Sequence, residues 1–301
     1  MADTHVPPLI AVLLALALGS GQAACPPAGH DAASLQALKA AGWQLPEPAA
    51  AANRGALALA LLDCLADADP RLRDELAFEG LQAWMRARLL DEATLRAIRQ
   101  RLLAMLAAPA DADGFAQPFA ALALAEVTRV DRLHGFLSAA ERRQQFDAAV
   151  VYLAGVRDTR AFDPQAGWRH GVAHGADGLL QWALHPALDR PMADAMLVAI
   201  AAQLLPAGNT AWTHGEPERL MAPVFFLARR PLLAAADWQA WFDSLMARRR
   251  PARPATATSL AERHNLGQFL HALYVSAAES SDAEMRDRLM PGLRAALRQL
   301  D

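Results

Sequence analysis

Residues that favour strands are nearly missing from this chain. Isoleucine stands only at Ile10, Ile98 and Ile200, and tyrosine only at Tyr152 and Tyr274, in 301 residues. Alanine, leucine, arginine, glutamate and glutamine dominate instead, and these lose little side-chain freedom in a helix. Apolar residues at helical spacing begin near Ser34 and recur to the C-terminus. The prediction is an all-α protein. With 54% hydrophobic and 20% charged residues, the chain can bury a substantial core and is not a disordered one.

Helix boundaries are marked by local chemistry. Asp69-Pro70 reads as an N-cap followed by proline in the first turn, opening a helix through LRDELAFEGLQAWMRARLL. A second helix is expected from Asp91 to about Leu106, and a third from about Phe115 to His134, stopped by Gly135. Ser138, Ser259 and Ser281 each precede a glutamate by three residues, at Glu141, Glu262 and Glu284, the pattern of a capping box. The breaks are short, at Asp111–Gly114, His185-Pro186, Pro206–Asn209 and Pro231, so neighbouring helices must return antiparallel. That pattern fits a HEAT-like stack of antiparallel helix pairs, with a compact irregular helical bundle as the alternative. The arginine-rich stretch from Arg248 to Ser259 reads as a solvated connection rather than a docking patch.

The first residues look like an export signal. Leu9–Leu18 is apolar and uncharged but too short to span a bilayer, and Gly21-Gln22-Ala23 fits a cleavage site. The segment before it has no Lys or Arg, and the plainer alternative is a buried N-terminal helix. The expected organisation is a signal peptide over 1–23, N-terminal helices over 24–68 and a helical-repeat domain over 69–301. The mature protein is then periplasmic or secreted, with no transmembrane helix. Cys25 and Cys64 would both survive cleavage, and an oxidising compartment permits a disulfide between them. Lipidation of Cys25 and an unpaired role for both cysteines stand as alternatives; Gln22 occupies a position where lipoprotein signals usually carry an aliphatic residue. The net charge of −3 argues against a nucleic-acid partner.

The unusual stretch is Asp163 to Pro186, DPQAGWRHGVAHGADGLLQWALHP. Helical spacing places His170, His174 and Asp177 on one face, and Gly171, Gly175 and Gly178 on a neighbouring stripe where something must approach closely. Two imidazoles four residues apart and a carboxylate one turn on are the right types for a divalent metal. The glutamate of a His-Glu-x-x-His protease is absent, because Gly171 follows His170. The competing readings are a buried hydrogen-bond network and a pocket for an organic ligand or partner. His214–Arg219 forms a second polar cluster. Glu216 and Glu218 read first as acidic residues in a helix's first turn, and second as partners for the histidine helix. Arg157, Asp158 and Arg160 are placed to anchor the preceding loop by ion pairs. No nucleophile elbow, phosphate-binding loop or Cys-x-x-Cys is present.

GWRHGVAHGADGLL resembles the signature of a bacterial family catalogued as domain of unknown function 2785, which carries Gly-Trp-x-His followed by Ala-His-x-x-Asp. The likeness extends over Asp69-Pro70-x-Leu72-Arg73-Asp74, Phe119–Leu122, Gly215-Glu216-x-Glu218-Arg219-Leu220 and Asn265 to Tyr274. It implies a helical, HEAT-like fold and no particular activity. Carried over, the family's marked positions fall on Trp168, His170, His174, Asp177, Glu216, Glu218 and Arg219. One departure is Ala161, where the family has glycine between Arg160 and an aromatic residue, which puts any special backbone conformation there in doubt.

Three functions follow. The favoured one is binding or scaffolding of a protein or peptide partner on a helical stack, through an apolar groove such as one formed by Trp238, Trp241 and Phe242. The second is a metal-dependent hydrolase using the His170/His174/Asp177 face. The third gives these polar residues a structural role alone.

Overall fold

The computed structural model describes residues 25–45, 50–250 and 254–300. The expected export segment, 1–23, lies outside them. Among the described residues are twelve α-helices and a single two-stranded hairpin, so the all-α expectation holds. The helices are α1 (Ala32–Ala40), α2 (Ala50–Leu61), α3 (Glu79–Arg86), α4 (Glu92–Ala107), α5 (Ala116–His134), α6 (Ala139–Gly155), α7 (Gly171–Ala183), α8 (Arg190–Leu204), α9 (Glu216–Ala228), α10 (Ala235–Arg248), α11 (Ala257–Ala278) and α12 (Ala283–Arg298). A 3-10 turn over Leu62–Ala66 and a π-helical stretch over Arg71–Phe78 complete the N-terminal part. Strands β1 (Phe162–Asp163) and β2 (Gly167–Trp168) pair antiparallel, with Phe162 opposite Trp168.

Helices α5, α7, α9 and α11 pack in sequence, each against the next. Behind them α4 packs on α6 and α6 on α8, while α12 packs on both α10 and α11. The apolar core is in two parts, one built from Leu35 to Leu137 and the other from Phe146 to Leu300. Helix α5 contributes to the first and α7 to the second. Buried polar groups gather where the parts meet. Gln145 donates to the Thr128 hydroxyl at 2.7 Å. Asp131 accepts from Arg142 Nε (2.6 Å), His185 Nε2 (3.1 Å) and the Leu137 amide (2.8 Å). Burial alone would raise the Asp131 pKa, but these donors hold it well below the carboxylate range. None of the described helices is long and apolar enough to cross a membrane.

Several starts follow the expected chemistry. Asp91 accepts from the Thr94 amide at 2.7 Å, Ser138 and Glu141 form the capping box, and Gly135 ends α5 at φ +65°. Two expectations are corrected. The cap of α11 is Thr256, which exchanges bonds with Ser259, so Ser259 lies inside the helix. Glu262 accepts instead from the Arg250 amide at 2.8 Å and pairs with its guanidinium. The cap of α12 is Asp282, accepting from Met285, one residue past Ser281. In each case a second competent cap stands close to the serine.

Cys25 and Cys64 form a disulfide, with Cα atoms 5.1 Å apart, and no cysteine is free among the described residues. A bridged Cys25 sulfur is not available for lipidation. The proposed aromatic groove is also corrected. Trp238 and Phe242 are fully buried, and Trp241 is half-buried with its indole N–H on the Leu197 carbonyl, so these rings are core.

Candidate functional site

The site begins with Arg73, a cation with no exposed surface. Nη1 donates to the Asp67 carbonyl (2.8 Å) and Nη2 to the Ala166 carbonyl (2.7 Å), Nε lies 2.7 Å from Asp74, and the guanidinium sits 3.7 Å above the Phe115 ring. Burial raises the Asp74 pKa against the pull of Arg73. Ala166 is in the hairpin turn. Gly167 next to it has φ +74°, and a Cβ there would lie 3.1 Å from Pro70 and 3.2 Å from Arg73. The Asp-Pro-x-Leu-Arg-Asp segment thus grips the Gly-Trp segment directly. Ala161 needs no left-handed backbone; its carbonyl accepts from Arg169 at 2.7 Å.

The hairpin delivers Trp168 over His170, with ring centroids 4.3 Å apart and planes 25° from parallel. Phe162, its cross-strand partner, packs against Trp168 with ring centroids 4.8 Å apart. Phe162 is 50% and Trp168 38% exposed, so two large rings are left open to water. His170 does not stand inside α7, as helical spacing suggested, but immediately before it at φ +53°. A non-glycine residue in this region is uncommon and is held there by its surroundings. His170 Nε2 donates to the His214 carbonyl at 3.0 Å and lies 3.7 Å from Glu216 Oε1. Burial lowers the His170 pKa, with Glu216 opposing.

His174, one turn on, is buried. Its Nδ1 lies 3.2 Å from the Pro118 carbonyl and its ring meets Phe119 edge-on at 5.1 Å. Burial drives its pKa down to about 3, so the ring is neutral. The carbonyl can only accept, which assigns the proton to Nδ1 and the lone pair to Nε2. Gly171 and Gly175 meet the expectation of close approach. Cβ atoms there would lie 3.2 Å from Tyr152 Oη and 3.0 Å from Leu153 Cδ1, both on α6. Gly178 departs from it, with nothing within 4 Å.

Asp177 receives Arg219 from α9 through two donors, Nε at 2.8 Å and Nη2. Burial raises the Asp177 pKa, and Arg219 opposes the rise. Glu216 is buried at the first position of α9, accepts from the His214 amide at 2.9 Å and stands beside His170. Glu218 is exposed and takes no part.

Trp168, His170, Asp177, Glu216 and Arg219 therefore come together, with His174 beneath them and Glu218 outside. Asp177 is committed to Arg219, and among the described residues no three His, Cys, Asp or Glu side chains are placed to hold a metal ion. Sequence reasoning passed over Arg73, Phe162 and the Asp131–His185 pair as site or support residues, and had His214 only as a member of the second polar cluster. A charged residue in an amphipathic run carries no mark that it is buried.

No curated protein and no solved structure matches the chain. A family described as "Protein of unknown function (DUF2785)" matches residues 102–275, which run from within α4 through α10 into α11 and include Trp168, His170, His174, Asp177, Glu216, Glu218 and Arg219 but not Asp67, Pro70, Arg73 or Asp74. The chain is therefore a member of the DUF2785 family.

Proposed function

We propose that this is an exported binding protein whose contact face for a protein or peptide partner is the Phe162–Trp168 hairpin. The observation that carries the reading is the Trp168–His170 stack with Phe162 packed against Trp168. Two rings are left exposed on a strand pair that Arg73 locks from beneath. Rigid aromatic side chains supply contact area at low entropic cost, which suits them to partner recognition. Most of the polar groups below are committed, Asp177 to Arg219, Glu216 to the His214 amide and His170 to the His214 carbonyl, and they fix the platform. A metal-dependent hydrolase on His170, His174 and Asp177 draws no support from a carboxylate already held by arginine. The two-layered succession of helices supports a HEAT-like stack as the frame. The Cys25–Cys64 bridge supports export, since such bridges persist in oxidising compartments.

The test is a photo-crosslinking residue placed at Phe162, with a control at Val198, an apolar and still more exposed position on α8. The expected result is one discrete partner adduct from position 162, absent from position 198 and lost in a Trp168→Ala background. Equal labelling from both positions would overturn the reading.

A further inference from the structure

A separate cavity of about 390 Å³ opens between α4, α5 and α6, touching α7 only at Gly171. That volume lies within the range of small-molecule sites, roughly 300–1,000 Å³. It shares Arg169 and Gly171 with the histidine segment but neither Trp168 nor His170. The cavity is divided chemically. Leu103, Leu106, Ala148, Val151 and Val156 form apolar wall, and Val151 at the lip is 70% exposed. The polar atoms among these walls are already used. The Tyr152 hydroxyl donates to the Gly171 carbonyl at 3.3 Å, and the Gln117 amide donates to the carbonyls of Leu106 (3.2 Å) and Ala108 (2.6 Å). Burial also pushes the Tyr152 phenol up, so it stays neutral.

The mouth carries three guanidiniums, Arg157, Arg160 and Arg169, against the carboxylates of Asp111 and Asp158. Both carboxylates are engaged. Asp158 is clasped by Arg160, at 2.9 Å to Nε, and Asp111 accepts from the Phe115 and Ala116 amides at 3.0 Å each, at the start of α5. The other two arginines have no carboxylate within ion-pair distance among the described residues. Arg157 reaches only the carbonyls of Ala154 (2.9 Å) and Val156 (2.8 Å). Arg169 donates to the Asp113 carbonyl (2.6 Å) and lies 4.4 Å over the Phe115 ring. A guanidinium holding only carbonyls keeps its full charge and has donors to spare.

We infer that this cavity binds a single-chain acyl carboxylate, its hydrocarbon along Leu103, Leu106 and Val151 and its head group at Arg157 and Arg169. The mouth holds three arginines against two carboxylates, so a cationic amphiphile is repelled, and a neutral one leaves the spare donors of Arg157 and Arg169 unanswered. Charge complementarity at the mouth and a dry wall behind it select the acyl anion.

The experiment is calorimetric titration of the full chain with decanoate and decyltrimethylammonium below their micellar concentrations and decan-1-ol below its solubility limit. Decanoate is expected to bind saturably at one site, with decan-1-ol roughly tenfold weaker or more and the cation not binding, since a charge-assisted pair is worth at least that factor. Arg157→Gln and Arg169→Gln should each weaken decanoate by roughly tenfold and leave decan-1-ol unchanged. Val151→Asp, on a side chain that is 70% exposed, should weaken both. Equal affinity for decanoate and decan-1-ol, no saturable decanoate binding, or decanoate binding indifferent to both arginine variants would each overturn the assignment.

Discussion

Asp177 on α7 and Arg219 on α9 face each other as a two-donor ion pair, with the carboxylate much the less exposed of the two. Arg219→Ala would leave that carboxylate without a partner. Because the pair is partly open on the arginine side, the expected loss near neutral pH is about 1–2 kcal/mol. Its pH dependence has a definite sign. The folded pKa of Asp177 is raised, so its contribution is full below the ordinary carboxylate value and is lost as pH rises through the folded value. Without Arg219 the folded value rises further, and the loss extends to higher pH. Thermal melts across the acid range check this, and Asp177→Asn in the Arg219→Ala background should recover most of the loss. Identical melting of the single and double variants at neutral pH would refute it.

His174 gives the opposite slope. Its folded pKa is depressed to about 3 from 6.5, so the unfolded chain takes the proton first as pH falls. Stability carried by this ring is present above about pH 6.5 and drains below it, at up to about 1.4 kcal/mol per pH unit. His174→Asn keeps a donor for the Pro118 carbonyl and removes the titration. The expected result is a flatter stability curve between roughly pH 6.5 and 4 than in the parent protein, read by urea denaturation. Parallel curves would mean the ring is not held neutral.

The two glycines at the middle of α7 should respond in opposite directions. Gly178→Ala meets nothing within 4 Å and gains helix propensity, so a stabilisation of about 0.5–1 kcal/mol is expected. Gly175→Val drives its side chain into Leu153 and Tyr152 and should cost about 1–3 kcal/mol. Chemical denaturation of both variants decides it, and a tolerated valine would show that α6 can move away.

The Cys25–Cys64 bridge closes a separation of 39 residues. By loop entropy, its removal should cost at most about 4 kcal/mol. The readout is the melting temperature of a Cys25→Ser/Cys64→Ser variant, which should match that of the reduced parent protein. A double variant as stable as the oxidised protein would show that the bridge constrains nothing.

Much of the helical frame was legible because periodicity, proline and glycine act locally. The capping boxes show the limit of that reasoning. Ser138 was correct, whereas Ser259 lost to Thr256 and Ser281 to Asp282, competent caps within three residues of them. At the site, the close approach at Gly171 and Gly175 was readable from glycine's cost inside a helix. The left-handed backbone of His170 was not, because tertiary contacts impose it and no local residue requires it. Nor was the partner of Asp177, which comes from 42 residues away.

Arg73 gives the family boundary a different meaning. The matched region starts at residue 102, part-way along α4, yet the side chain that fastens the hairpin turn comes from before it. A fragment cut at 102 would keep Phe162, Trp168 and both site histidines while losing the clamp beneath them. The recognisable family segment and the cooperative unit that presents its signature are therefore not the same length of chain. Any trimmed version prepared for binding work has to reach back past Asp67 to keep the aromatic rings where the intact protein holds them.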